Sequence, residues 1–150
     1  MDVRDLRSDC PINYLLELVG DKWSLLIIRD MILNGKSSYG EFLASEEKIA
    51  TNILANRLSA LGDAGLISKR QNTDNKAKYV YTLTDKGVDL IPLFIEVILW
   101  SSKHSPLPIP DEDKPVLTQA LQDKETLIAN LRKQSSEISS PLTLVESESH

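Results

Sequence analysis

The chain has 150 residues, of which 41% are hydrophobic and 26% charged, enough apolar material for one folded domain and an appendage. No apolar run reaches the roughly 20 residues of a membrane span, the charged N-terminus lacks an apolar signal core, and one cysteine excludes an intramolecular disulfide. A cytoplasmic location, with no membrane partner, is the expectation. The net charge is −5, yet residues 48–86 hold seven basic groups against three acidic ones, while residues 105–150 hold four against eight. The acid is concentrated in the tail, and a local positive stretch is what a phosphate backbone would feel.

Pro11 opens a short helix that Gly20 ends. Asp21 caps a second helix to about Leu33, apolar nearly all round and therefore central. Ser38 caps a third, Tyr39 to about Ala44. A polar turn leads to a fourth, Thr51 to Ala64, which Gly65 stops. The period then changes. Leu66 to Arg70 and Tyr79 to Leu83 alternate as strands, joined by the polar stretch Gln71 to Lys78. Thr84 caps a long helix from Asp85 to about Lys103, kinked or divided by Pro92 near Ile91. Residues 105–115, with four prolines, read as a linker. Residues 116–134 return to helical spacing, with Leu117, Leu121, Ile128 and Leu131 on one stripe. Residues 135–150 read as disordered. The fold class is mainly α with a small β-hairpin (α+β). The order of elements is that of a winged helix-turn-helix over residues 1–104, with further helices at both ends.

At 100° per residue, Leu54, Leu58 and Leu61 anchor the fourth helix to the core. Asn52, Asn56, Ser59 and Asp63 face away. Such a helix fits the major groove, and its N-terminal half reaches base edges. An asparagine amide donates and accepts together, which matches adenine's exposed edge. Thr51 opens this reading surface. Lys36 and Tyr39, near the bracing third helix, are candidate phosphate contacts. Asn75, Lys76 and Lys78 sit at the hairpin tip, where basic groups add affinity without sequence information. Arg57 either pairs within the domain or meets phosphate. Trp23 and Trp100 read as core anchors.

The ordered set of motifs resembles the HxlR-type winged-helix regulators, relatives of the MarR group. The residues that carry the resemblance are Cys10-Pro11-Ile12, Val19 to Ile27, Tyr39-Gly40-Glu41-Phe42, Leu54 to Leu58, Leu61 to Ile67, Tyr81 to Gly87 and Trp100. The resemblance implies a homodimeric, bacterial-type DNA-binding regulator, by default a repressor, with terminal helices at the dimer interface. It also marks Cys10 as a candidate redox sensor, the alternative being a small inert cysteine. Three departures stand out. Ala50 replaces the serine that usually caps the recognition helix, so Thr51 is expected to cap instead. Ala77-Lys78 replaces wing prolines. The acidic segment 105–150 exceeds the family's length.

The sequence reading is thus a homodimer on a pseudo-palindromic duplex, responsive to an electrophile or another small molecule. A winged-helix module that binds protein and not DNA is the alternative. Two histidines and one cysteine make no metal set, no phosphate-binding glycine loop appears, and no catalytic constellation suggests an enzyme or a cofactor.

Overall fold

The computed structural model describes residues 5–139. Two compact units divide between Gly87 and Val88, nearer the N-terminus than the boundary at residue 104 read from the sequence. None of the described helices is long and apolar enough to cross a membrane.

The first unit begins with α1 (Pro11–Val19) and α2 (Ser24–Asn34). Asp21 makes the turn between them. Its Oδ2 accepts from the backbone N–H groups of Trp23 (2.9 Å) and Ser24 (3.0 Å), which covers two donors that an α-helix leaves open at its start. Gly35 ends α2 in the left-handed conformation, at φ 63°. α3 (Tyr39–Leu43) carries a full capping box, with Ser38 and Glu41 satisfying each other's backbone. α4 (Thr51–Asp63) follows, and its Leu54, Leu58 and Leu61 are buried with Ile28 and Phe42 in one core.

β1 (Ile67–Gln71) and β2 (Tyr79–Leu83) pair antiparallel, from Ile67 opposite Leu83 to Gln71 opposite Tyr79. Tyr81 N–H also donates to Ser37 O (2.8 Å), which ties the hairpin to the loop before α3. Thr84 caps α5 (Asp85–Val88) by accepting from Gly87 N–H (3.2 Å), and its hydroxyl donates to Gly65 O (2.6 Å). A Cβ on Gly87 would lie 2.2 Å from Leu66 O, so only glycine lets this turn press against the start of β1.

The long helix expected from Asp85 is divided. After α5 the chain restarts as α6 (Ile91–His104), with Pro92 in its first turn, where a missing N–H costs nothing. In the second unit, α7 (Lys114–Gln122) and α8 (Lys124–Ser139) pack on α6. Lys124–Glu96 (2.6 Å) and Arg132–Asp89 (2.9 Å) fix α8 antiparallel to α6.

Four expectations are corrected in this unit. Pro115 belongs to the first turn of α7 and not to the linker. Residues 116–134 are not one helix: Asp123 breaks it (φ −155°, ψ 81°), and its carboxylate accepts from Thr126 N–H (3.1 Å), capping α8. The break re-phases the apolar stripe, so Leu131 and Leu127 are buried while Leu121 is 71% exposed. Helix α8 also runs on through Ser139, with Ser135 buried, where disorder was expected; residues 140–150 lie outside the described residues. Trp100 is no core anchor, being 67% exposed. It lies nine residues after buried Ile91, half a turn round the helix, and its ring sits beside that of His104, tilted by 41° with the centroids 5.0 Å apart. Trp23 is half-buried.

Candidate nucleic-acid interface

α3, the turn Ala44–Ala50 and α4 form the helix-turn-helix, and the β1–β2 hairpin forms the wing. On α4 the leucine ridge faces inward, while Thr51, Asn52, Asn56 and Ser59 are all exposed. The helix starts at Thr51 with Ala50 at the cap position and no side-chain cap, so Thr51 does not take over the missing serine's role. Its first-turn N–H groups remain open, as an anion site requires. Tyr39 Oη donates to Thr51 O (2.8 Å), which joins α3 to the start of α4.

Arg57 faces inward of the reading surface. Its Nη1 lies 3.2 Å from Asp21 Oδ1, and its Nε (3.1 Å) and Nη2 both donate to Asn56 Oδ1. Of the two roles left open for Arg57, the internal pair is the one present. Lys36 is also turned inward: its Nζ donates to Ser45 Oγ (2.8 Å) and approaches Asp30 Oδ2 (3.5 Å), instead of facing outward as a phosphate contact would.

At the wing tip, Asn75, Lys76 and Lys78 are exposed. The tip is built from side-chain turns: Asn72 Oδ1 accepts from Asp74 N–H (2.8 Å), and Asn75 Oδ1 from Ala77 N–H (3.1 Å). Lys69 lies over the Tyr79 ring at 4.0 Å, adding an ammonium to the same ribbon. Among the described residues, no group of three or more His, Cys, Asp or Glu side chains gathers where a metal ion would sit.

A family model described as HxlR-like helix-turn-helix matches residues 18–107. The chain belongs to this family. It is a transcription regulator of the HxlR and MarR-like winged-helix type, as its relatives are, and these are not enzymes. One relative is YdzF of Bacillus subtilis, named an uncharacterised HTH-type transcriptional regulator. It is 31% identical over 93 residues, covering 62% of this chain and 85% of YdzF. The reduced form of the regulator YodB from B. subtilis superposes with a TM-score of 0.53 at 26% identity, over 66% of this chain and 97% of YodB. A MarR-family regulator from Listeria monocytogenes, solved with a 26mer DNA, has a TM-score of 0.53 at 25% identity, covering 79% and 77%. The HxlR match stops at residue 107, so α7 and α8 lie beyond it.

One feature of this HxlR-type domain escaped the sequence reading. Asp30, on α2 and 3% exposed, accepts from Arg29 Nε (3.1 Å) and Nη2 (3.0 Å), from Asn34 Nδ2 (3.0 Å) and from Ser45 Oγ. Arg29 also holds Glu47 through two bonds, Nη1 to Oε1 and Nη2 to Oε2 (3.0 Å). Ser45 and Glu47 lie in the turn between α3 and α4, so this network sets how α4 is presented. The only sequence signal was charge inside an otherwise apolar helix.

The hydrogen bonds from Arg29, which outweigh the effect of burial, hold the Glu47 carboxyl down from 4.5 to about 2. A depressed folded-state value gives stability that is present above the unfolded value and is lost as pH falls through the folded one. The pair should therefore contribute fully above about pH 4.5 and fade toward pH 2. After discounting for solvent screening the contribution is about 1 kcal/mol. Urea denaturation across this range should show Glu47→Gln converging on the wild-type stability as the pH drops. A constant gap would mean that the ion pair contributes nothing.

Proposed function

We propose that this chain is a homodimeric, sequence-specific DNA-binding repressor that acts in the cytoplasm. The observation that carries the reading is the outward face of α4, polar and exposed from Thr51 to Ser59, with an uncapped helix start and a lysine-bearing ribbon beside it. Thr51, Asn52, Asn56 and Ser59 would meet base edges in the major groove. Asn75, Lys76 and Lys78 would meet the backbone or an adjacent groove. Lys36 and Arg57 act by holding the motif together, and Tyr39 braces α4 while its hydroxyl oxygen remains able to accept a bond. The DNA complex of the Listeria regulator supports the partner class.

Two apolar helix faces support a second copy of the chain as the other partner. α1 leaves Ile12 70% and Leu16 51% exposed, and α6 leaves Val97 46% and Trp100 67% exposed. A two-fold dimer predicts a pseudo-palindromic site with half-sites about 34 Å apart or a multiple of that.

Selection from mixed genomic duplexes tests the reading: a palindromic fragment should be enriched. Lys76→Ala with Lys78→Ala should weaken all duplexes alike, by roughly tenfold per half-site, and flatten the salt dependence by about two charges per half-site, about four for the dimer. Failure to retain any fragment would favour the protein-interaction alternative.

The effector we propose is an oxidant or electrophile acting at Cys10, whose thiol is exposed just before α1. Across a dimer axis two such thiols can join as a disulfide, with diamide taking up the two electrons and two protons and becoming a hydrazine. Diamide should give a covalent dimer that dithiothreitol reverses and should change DNA retention, and Cys10→Ser should do neither. Identical responses in both proteins would remove Cys10 from the account.

A further inference from the structure

Asparagine on a reading helix usually suits adenine, because its amide donates to N7 and accepts from N6. Asn56 is not free to do both. It is exposed on the outward face of α4, yet its Oδ1 already accepts from Arg57 Nε (3.1 Å) and Nη2. A guanidinium carries only donors, so the atom facing it has to be the amide oxygen, and two N–H groups occupy both lone pairs. Arg57 is itself fixed from behind by Asp21 Oδ1, 3.2 Å from Nη1. Asp21 is fixed in turn by Trp23 N–H, Ser24 N–H and Ser24 Oγ. A rigid chain of contacts thus runs from the α1–α2 turn to the reading surface. What Asn56 has left for a base is its NH2 group alone.

We infer that Asp21 and Arg57 are positioning residues that hold the Asn56 amide as a donor only, so that α4 selects guanine at this step and disfavours adenine. Guanine presents two acceptors, N7 and O6, to the major groove, and an amide NH2 can donate to both. Adenine presents N6–H2 beside N7. Reading it would require Asn56 to give up both bonds from Arg57, and Arg57 would lose an acceptor while still held at Asp21. The inference rests on the DNA-binding reading above and adds the base that one step of α4 prefers.

The test is selection from a randomised duplex pool, comparing the full-length wild type with Asn56→Ala, Arg57→Met and Asp21→Asn. Asp21→Asn keeps an oxygen for the N–H groups of Trp23 and Ser24 but loses the charge that holds Arg57. Wild type should enrich guanine at one position of each half-site, and Asn56→Ala should lose the preference at that position only. Arg57→Met and Asp21→Asn should each move that position toward adenine, changing the guanine-to-adenine ratio by about tenfold and leaving the other positions as they were. General weakening of the fold would lower retention of every sequence and leave the base ratio alone. Should one of these two variants fail to fold, the other decides. The inference is overturned if wild type selects adenine there, or if the variants select the same base as wild type. If wild type enriches no sequence at all, the DNA-binding reading falls and this inference falls with it.

Discussion

Replacing Asp30 with alanine is expected to destabilise the first unit by about 3–5 kcal/mol, the cost of removing one member of a buried charge network. The carboxylate is 3% exposed and takes bonds from Arg29, Asn34 and Ser45, with Lys36 at 3.5 Å. Without it, Arg29 would keep Glu47 and Lys36 would keep Ser45, but the N–H groups of Arg29 and Asn34 and the hydroxyl of Ser45 that meet this carboxylate would lose their buried acceptor. Asp30→Asn should cost less, since an oxygen remains, but should still loosen Ser45 and with it the turn before α4. Urea denaturation followed by circular dichroism reads both effects. A loss below about 1 kcal/mol for Asp30→Ala would mean that the network behaves as a set of solvated surface pairs.

The second large effect concerns recognition. Asn52→Ala combined with Asn56→Ala should lower the ratio of specific to non-specific affinity by roughly a hundredfold per half-site, at about 1–3 kcal/mol for each base-reading side chain. Folding should be nearly untouched, because both residues are exposed while the leucines that anchor α4 are unchanged. Competition of a selected duplex against a scrambled one measures the ratio. An unchanged ratio would move recognition away from this face of α4.

Much of the first unit was legible because local signals and hydrophobic period agree there. Asp21, Ser38 and Thr84 cap where the sequence places them, and Gly35 and Gly65 end helices at positive φ. The leucine spacing of α4 predicts its buried face, since the 3.6-residue period leaves little choice once one side is apolar. The second unit was less legible. Pro115 looks the same in a linker as at the start of a helix. Asp123 caps through its own side chain inside a stretch whose periodicity carries across the break. Residue type alone makes Trp100 look like a core anchor, although its angular distance from Ile91 places it opposite the core.

The candidate site was legible by face and not by hydrogen bond. The exposure of Asn52, Asn56 and Ser59 follows from helical spacing alone. That Arg57 turns back to Asp21, and Lys36 toward Asp30 and Ser45, depends on partners 36, 6 and 9 residues away, which no local pattern encodes.

The central claim is that a polar helix face beside a cationic hairpin engages the phosphate backbone and base edges of a duplex. The direct measurement is the affinity for a selected duplex as a function of salt. A dimer making several phosphate contacts should lose about a thousandfold or more between roughly 50 and 200 mM salt, with a straight negative slope of log K on log salt. A flat line, or no complex at the lowest salt, would contradict it.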